Sequence, residues 1–284
     1  MKVSYYPGCS LEGTAREYDE SLKAVARSLD LELAELPDWT CCGSSSAHVT
    51  SDQLAISLAA RNLILADKAG LDLLVPCAAC FQRLKAAEKA LKSGVKPEGV
   101  KEKYTGNFKI IHPADFIWEQ FGEKVIAGRV KKSLEKLNPV CYYGCLITRP
   151  PRITDSTNPE DPQSMDEIMK ALGASVKNWS FKTDCCGGNL VLTHTELARK
   201  LIKKLFDMAL EAGADSIVVG CPMCHSNLDT RQKEVLQDNG QAYHIPIYYF
   251  SEMMGLAFGE MAVEKWLNKH LTEAKSLLKQ NNLL

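Results

Sequence analysis

The chain alternates short apolar runs with longer amphipathic stretches, and the same alternation occurs twice. Each copy opens with an apolar run that ends at a Gly-Cys dipeptide, which predicts a buried strand followed by a turn. The predicted strands are Val3–Tyr6, Leu31–Leu36, Asp72–Pro76 and Phe108–Ile111 in the first copy, and Pro139–Tyr143, Ser175–Trp179, Asp215–Val219 and Ile245–Tyr248 in the second. The predicted helices are Ser21–Leu29 and Gln53–Ala69, then Met165–Leu172 and Thr195–Ala212.

Alternating strands and helices are typical of mostly parallel sheets covered by helices. We therefore predict an α/β fold of two pseudo-symmetric Rossmann-like lobes with mostly parallel sheets, related by internal duplication. The predicted domains cover residues 1–136 and 137–284. The tail, Glu260–Leu284, keeps apolar positions at helical spacing, so the second domain is predicted to end in a C-terminal helix packed on it.

Composition narrows the class of protein. The 284 residues carry 34 basic and 35 acidic side chains, a net charge of −1, which predicts no nucleic-acid partner. No apolar run approaches the roughly 20 residues of a membrane span, and the first residues do not resemble a signal peptide. We therefore expect a cytoplasmic protein, in which clustered cysteines bind metal or carry redox chemistry rather than form disulfides.

Ten of the 11 cysteines fall into two matching sets. In both copies 34 residues (43–76 and 187–220) separate a Cys-Cys pair from a Cys-x-x-Cys. The second copy carries eight extra residues before its Cys-Cys pair, since the offset between copies rises from 136 at the first cysteine to 144. The first set is Cys9, Cys41, Cys42, Cys77 and Cys80, and the second set is Cys145, Cys185, Cys186, Cys221 and Cys224.

All ten cysteines are predicted to follow strands, at the carboxyl edge where parallel sheets place their ligands. A cubane iron–sulfur cluster or a structural zinc ion needs four thiolates, whereas each set offers five. Either one cysteine per set is spare, or an unusual cluster uses all five. Gly43 and Gly187 supply the turn that directs two neighbouring cysteines to one centre. Cys141 has no counterpart in the first copy and is predicted to pack in its strand as a small apolar residue.

The repeated pattern Cys…Cys-Cys-Gly…Cys-x-x-Cys resembles the cysteine-rich CCG domain. Two such domains in one chain look like the family of heterodisulfide reductase B subunits, over nearly the whole chain from Tyr6-Pro7-Gly8-Cys9 to about Ala257. Residues 41–48 and Tyr142-Tyr143-Gly144-Cys145 look like the bacterial members. The resemblance implies two noncubane [4Fe-4S] clusters, one held by the first set and one by the second set.

That resemblance also implies the activity, an oxidoreductase that acts on a sulfur group. The chain would be the catalytic iron–sulfur subunit that reduces a mixed disulfide to two thiols between its clusters. No motif for a flavin, a nicotinamide cofactor or a ferredoxin cluster occurs, so electrons must come from partners. The family implies a ferredoxin-like C subunit and a flavin-bearing A subunit, whose flavin can perform electron bifurcation.

Two alternatives stay open at this point. CCG proteins also serve as electron-transfer subunits of lactate, glycolate or quinone-linked oxidoreductases, and zinc in both sets would make the protein a scaffold. Candidate proton donors are His48, His194 and His225, for which a surface or helix-capping role is the alternative. The charges of Arg149, Arg152 and Lys182 are candidates to meet an anionic substrate, and the alternative is that they are solvated loop charges.

Overall fold

Two parallel sheets form the centre of the computed structural model, which describes residues 1–44, 46–237 and 239–284. The first sheet has the strand order β2-β1-β3-β4 and the second the order β5-β6-β7, with every pairing between these strands parallel. The strands are β1 (Lys2–Tyr5), β2 (Glu32–Glu35), β3 (Leu73–Leu74), β4 (Ile110–Ile111), β5 (Pro139–Tyr142), β6 (Ser216–Val219) and β7 (Ile247–Tyr249). The predicted α/β class with mostly parallel sheets is therefore confirmed.

Helices follow the strands in both halves of the chain. Those of the first half are α1 (Gly8–Glu12), α2 (Arg16–Ser28), α3 (Ala47–Thr50), α4 (Asp52–Ala69), α5 (Ala78–Lys92) and α6 (Pro113–Gly128). Those of the second half are α7 (Pro151–Thr154), α8 (Ser164–Ala171), α9 (Thr195–Glu211), α10 (Pro222–Thr230), α11 (Phe250–Phe258), α12 (Val263–Leu267) and α13 (Ser276–Gln280). Helix α4 shows the local signals clearly, because the Ser51 side chain caps its start and Gly70 ends it at a φ of +66°.

The prediction of a regular strand at Ser175–Trp179 was wrong. The segment is extended and begins to pair, since Ser175 N donates to Leu137 O at 2.9 Å and Lys177 N to Pro139 O at 2.8 Å. The next acceptor, the carbonyl of Cys141, is taken by the indole N–H of Trp179 at 2.9 Å. A side chain thus replaces the backbone donor and the ladder stops, which leaves the second sheet with three strands.

The prediction of one C-terminal helix was also wrong. Helices α12 and α13 are separated because the backbone N–H groups of Leu271 and Thr272 donate to the carboxylate of Asp229, at 2.7 and 2.9 Å. The preceding His270 turns its ring inward to Glu252, with Nε2 3.0 Å from Oε1. These two inward polar contacts hold the segment out of the helical conformation.

The two halves exchange their last helices. Helix α6, which follows the first sheet, packs on α8 of the second half, while α11, which follows the second sheet, packs on α2 of the first. The hydroxyls of Ser21 and Ser251 meet at 2.7 Å inside the second of these contacts. Buried apolar side chains from both halves consequently form one continuous core, in which β6 is buried along its whole length, as expected for a parallel strand covered on both faces.

Candidate metal centres

The structure brings the first set of cysteines together at the carboxyl edge of the first sheet. Cys9 lies in α1, directly after β1, and the Cys41–Cys42 pair lies in the loop after β2. Cys77 is the N-cap of α5 and Cys80 lies in its first turn. The sulfurs of Cys42 and Cys80 are 3.2 Å apart, while the Cys9 thiol contacts Cys41 and the Cys77 thiol contacts Cys80.

The second set repeats this arrangement on the second half. Cys186 Sγ lies 3.9 Å from Cys224 Sγ, the Cys145 thiol contacts Cys185, and Cys221 contacts Cys224. All five cysteines line one cavity of about 70 Å³. Every one of the 11 cysteines is a free thiol, so the sulfurs are available as ligands.

The two sets also meet each other. Cys77 and Cys221, the N-caps of α5 and α10, are both fully buried, and their thiols form a side-chain contact between the halves. The two sites therefore share a wall and are not placed on distant faces of the molecule.

Four glycines leave space for the cysteine side chains or allow the turns that position them. Gly43 and Gly187 have φ values of +78° and +76°, as the Cys-Cys-Gly turn predicts, and their N–H groups donate to the sulfurs of Cys41 and Cys185 at 3.4 and 3.3 Å. Sequence reasoning missed the equivalent part played by the glycines that precede Cys9 and Cys145. A Cβ on Gly8 would lie 3.0 Å from Cys80 Sγ, and one on Gly144 would lie 2.8 Å from Cys224 Sγ. The repeated Gly-Cys dipeptide was the signal for this role.

Two buried tyrosines anchor the Cys-Cys loops. The hydroxyl of Tyr6 donates to the carbonyl of Thr40 at 2.7 Å, and that of Tyr142 donates to Asp184 at 2.6 Å, in each case the residue just before the pair. Burial raises the pKa of both phenols, so they remain hydrogen-bond donors. The sequence pattern predicted no role for these two residues, although each lies two positions before a Gly-Cys dipeptide.

Protons are shared unequally between neighbouring thiols. A hydrogen bond from Cys80 lowers the pKa of Cys42 to about 6, and one from Cys145 lowers the pKa of Cys185 to about 6. The pKa values of the two donors change in the opposite direction, because the hydrogen bond that each donates to a thiolate raises the pKa of both Cys80 and Cys145. A lowered pKa favours the thiolate, which is the form of cysteine that binds metal.

The donors fit a metal–thiolate group. Five thiols cluster in each set, beside the polar side chains of Ser10 and Ser44 in the first and Asn227 in the second. This abundance of sulfur suits iron–sulfur clusters or zinc, and the second set surrounds a cavity where a Cβ on Gly144 would crowd Cys224. Within the described ranges no three His, Cys, Asp or Glu side chains are grouped for a single metal ion. The thiols instead form neighbouring pairs around a shared space.

The three candidate histidines occupy different positions. His194 is exposed at the N-terminus of α9, with Nδ1 3.1 Å from the hydroxyl of Thr193, and His48 is half-buried in α3 with no partner for its Nδ1 among the described residues. His225 is buried against the carbonyl of Ile247 at 3.2 Å, and burial holds its pKa well below the usual range. None of the three is among the described residues that line the cavity of the second set.

The candidate cations are paired with other polar groups or exposed. Lys182 is buried, and its ammonium lies 2.8 Å from Asp161 and 2.9 Å from Asp166. Arg149 is held by Glu160 and the hydroxyl of Thr183, and Arg152 is exposed.

A larger cleft of about 650 Å³ lies between the halves, and its described lining contains no cysteine. No helix in the described part of the chain combines the length and apolarity needed to cross a bilayer.

Comparison with known proteins gives consistent results. The model of the CCG family, a cysteine-rich domain, matches twice, over residues 3–85 and 140–229. The chain is 30% identical over 281 residues to the 8-methylmenaquinol:fumarate reductase membrane anchor subunit of Wolinella succinogenes, covering 97% of this chain and 99% of that one. It is 27% identical to the B subunit of the ferredoxin:CoB-CoM heterodisulfide reductase of Methanosarcina mazei, covering 91% and 89%.

The fold also has a solved relative. The crystal structure of a hypothetical protein from Helicobacter pylori matches with a TM-score of 0.73 at 13% identity, covering 96% of this chain and 52% of that one. This likeness concerns the fold alone.

Proposed function

Since this chain belongs to the CCG family of cysteine-rich domains, we propose that it is the catalytic iron–sulfur subunit of a heterodisulfide-reductase-like complex. The proposed reaction is R–S–S–R′ + 2e⁻ + 2H⁺ → R–SH + R′–SH, which makes the protein an oxidoreductase that acts on a sulfur group. One observation carries the proposal: two sets of five free thiols occupy equivalent positions on two halves and touch at Cys77 and Cys221.

We assign one [4Fe-4S] cluster of the noncubane type to each set. The proposed ligands are the first set, Cys9, Cys41, Cys42, Cys77 and Cys80, and the second set, Cys145, Cys185, Cys186, Cys221 and Cys224. When bound, such clusters supply electrons one at a time at a potential that their surroundings set. Splitting a disulfide takes two electrons, so two sites that share a wall match the need of the reaction.

The protein side chains hold and shield these sites. Leu146, Leu190 and Met223 line the cavity of the second set beside its cysteines and give it apolar walls. Tyr6 and Tyr142 fix the Cys-Cys loops through the carbonyls that precede them. The reaction also consumes two protons.

Of the candidate proton donors, His194 is exposed, with Nδ1 3.1 Å from the hydroxyl of Thr193, and the buried Nδ1 of His48 has no hydrogen-bond partner among the described residues. The ring of His225 is buried against backbone, and we propose that it supports the fold. The assignment of proton transfer to His48 and His194 stays a prediction.

The electrons are proposed to come from other subunits. We propose a ferredoxin-like C subunit and a flavin-bearing A subunit, in an assembly whose flavin performs electron bifurcation, with the complex located in the cytoplasm. The name of the Methanosarcina mazei relative, the B subunit of a heterodisulfide reductase, supports this assembly. We also propose that residues 1–136 and 137–284 are the two CCG domains, on the basis of the repeated cysteine register.

A second function has one observation in its favour. The Wolinella succinogenes relative, at 30% identity, is named as the membrane anchor of an 8-methylmenaquinol:fumarate reductase. On this alternative the chain transfers electrons in a quinone-linked or hydroxyacid oxidoreductase and reduces no disulfide itself.

The test begins with anaerobic purification followed by counts of iron and sulfide. We expect about eight irons per chain, and Cys186→Ser is expected to lose about half of them. The matched control is Cys141→Ser, which changes a buried cysteine outside both sets. A protein that binds zinc or no metal would contradict the cluster assignment.

The catalytic claim is tested separately, with reduced methyl viologen as donor and disulfides of several classes as acceptors. Disulfide-dependent oxidation of the dye, lost in Cys186→Ser and kept in the Cys141 control, supports the disulfide reductase. Oxidation by a menaquinone analogue with no response to any disulfide would favour the alternative.

A further inference from the structure

The ring of His270 occupies a buried pocket in the second half. Its Nε2 lies 3.0 Å from Oε1 of Glu252, and its centroid lies 4.5 Å from that of His225 and 6.4 Å from that of Tyr248. The side chains of His270 and Glu252 are fully buried. This pocket therefore combines aromatic rings with one carboxylate, an arrangement that suits a cation.

The first half contains a counterpart of each residue around the His270 pocket. The Cys-x-x-Cys helices align at the offset of 144. The last strand and helix of each half align at an offset of 137, because the N-caps His112 and Tyr249 have matching φ and ψ values of −74°, 140° and −72°, 142°. The strand pairings give the same alignment. The counterparts of His225, Tyr248 and Glu252 are therefore Phe81, Ile111 and Asp115.

All three counterparts line the cleft of about 650 Å³ between the halves. Where the second half places His270, the corresponding residues of the first half thus face open space, with the volume of a site for a small molecule. Thr148 of the second half also lines the cleft. It is only 2% exposed, and its hydroxyl has no hydrogen-bond partner among the described residues.

The charges of the cleft favour a cationic ligand. Four of the charged side chains that line it form ion pairs with one another: Lys85, Lys92, Glu88 and Asp155. In the described part of the chain no ion pair involves Asp115, Glu119 or Lys109, which leaves two carboxylates and one ammonium group. No three acidic, cysteine or histidine side chains are grouped for a metal ion within the described ranges. The excess negative charge therefore suits an organic cation.

We propose that the cleft is a binding site for a small organic cation, of the ammonium or imidazolium class, that pairs with Asp115 as His270 pairs with Glu252. Phe81 and Ile111 form the wall on which the ligand packs, as His225 and Tyr248 do for His270. The site is separate from both sets of cysteines and does not depend on the metal that they hold.

His112 connects this site to the second set. It lines the cleft, and its Nε2 lies 2.9 Å from the carbonyl of Gly220, which also accepts the hydroxyl of Tyr18 at 3.0 Å. Gly220 directly precedes Cys221. One side chain therefore separates the cleft from the peptide that carries a cysteine of the second set.

The test uses histamine as the probe, because its imidazole ring matches that of His270 and its ammonium group is charged at neutral pH. The matched control compound is imidazoleacetate, which has the same ring with a carboxylate in place of the ammonium group. Binding to the full-length protein, purified anaerobically with its metal, is measured by ligand-observed NMR titration. We expect histamine to bind with a dissociation constant on the order of 1 mM, and imidazoleacetate to bind roughly tenfold more weakly or not at all.

Three variants locate the bound histamine. Asp115→Asn removes the carboxylate at nearly unchanged size and should weaken binding by roughly tenfold or more. Asp115→Glu keeps the charge and should retain binding. Glu123→Gln is the matched control and should bind as the wild type does, since Glu123 is exposed on the same helix and does not line the cleft.

Absence of histamine binding, or equal binding of both compounds, would overturn the proposal. So would binding that Asp115→Asn leaves unchanged, since histamine would then lie elsewhere, the cysteine sets included. Circular dichroism checks the fold of each variant, and the comparison of the two compounds on the wild type decides even if Asp115→Asn does not fold. Iron counting stays independent of these results: a chain without clusters would refute the proposed function and leave the cation site in place.

Discussion

Replacement of Gly144 by alanine tests whether the space beside the second cysteine set is required. Gly144 has a φ of +70°, and a Cβ at this position would lie 2.8 Å from the sulfur of Cys224. Two separate effects therefore destabilise the variant. The left-handed backbone conformation is unfavourable for alanine, and the added Cβ crowds the sulfur of Cys224. The chain offers a control for the first cost in Gly213, which has a φ of +76° and where an added Cβ would meet nothing within 4 Å.

The expected magnitudes follow from these contacts. Left-handed backbone costs a residue with a Cβ about 1–2 kcal/mol, which is the whole effect expected for Gly213→Ala. Overpacking adds about 1–3 kcal/mol in Gly144→Ala, for a total of about 2–5 kcal/mol in the free energy of unfolding. Because the overpacking falls on the sulfur of Cys224, this variant is also expected to lose iron from the second site.

Urea unfolding monitored by circular dichroism, together with iron analysis, separates the two variants. Gly213→Ala should keep its iron and show the smaller loss of stability. If Gly144→Ala unfolded at the same urea concentration as Gly213→Ala and kept all of its iron, close packing against Cys224 would not be a requirement of the site.

Three further predictions concern buried groups. Lys182→Met leaves the carboxylate of Asp166 without its ammonium partner at 2.9 Å and is expected to cost about 3–5 kcal/mol in urea unfolding. Burial lowers the pKa of His270, but Glu252 at 3.0 Å outweighs it and raises that pKa overall. The stabilisation that the His270–Glu252 pair provides is fully present below the pKa of histidine in the unfolded chain, about 6.5, and is lost as the pH rises through the pKa of His270 in the folded protein. His270→Gln should therefore destabilise the protein more at pH 6 than at pH 9. Cys141→Ala should cost about 1 kcal/mol and leave the iron content unchanged.

The repeated pattern was sufficient to predict the class of fold and the positions of the cysteines. Strands buried on both faces read as apolar runs, as in Ser216–Val219, and the matching register of the two sets placed every cysteine after a strand or an extended segment. Cys141 lies fully buried in β5, as its strand pattern predicted. These features depend on local sequence, which is why they could be predicted from the sequence alone.

Features that depend on contacts between distant segments could not be predicted from the local sequence pattern. Ser175–Trp179 has strand composition, yet the indole of Trp179 takes the carbonyl that the next ladder bond needs. The exchange of α6 and α11 between the halves has no local signal, because it depends on contacts with helices of the other half. The hydrogen bond from Tyr18 to Gly220, 202 positions away, likewise follows from that exchange.

Two differences between the copies lie where the halves meet. The loop that carries the eight extra residues of the second copy places Asp155 against helix α5, 2.5 Å from the ammonium of Lys85. Pro222 and Ala78 differ at the contact between the two sets. The first of these contacts lines the cleft of about 650 Å³ between the halves, and the second lies beside the contact of Cys77 with Cys221. Because α6 and α11 each pack on a helix of the other half, neither half is expected to keep its site when expressed alone.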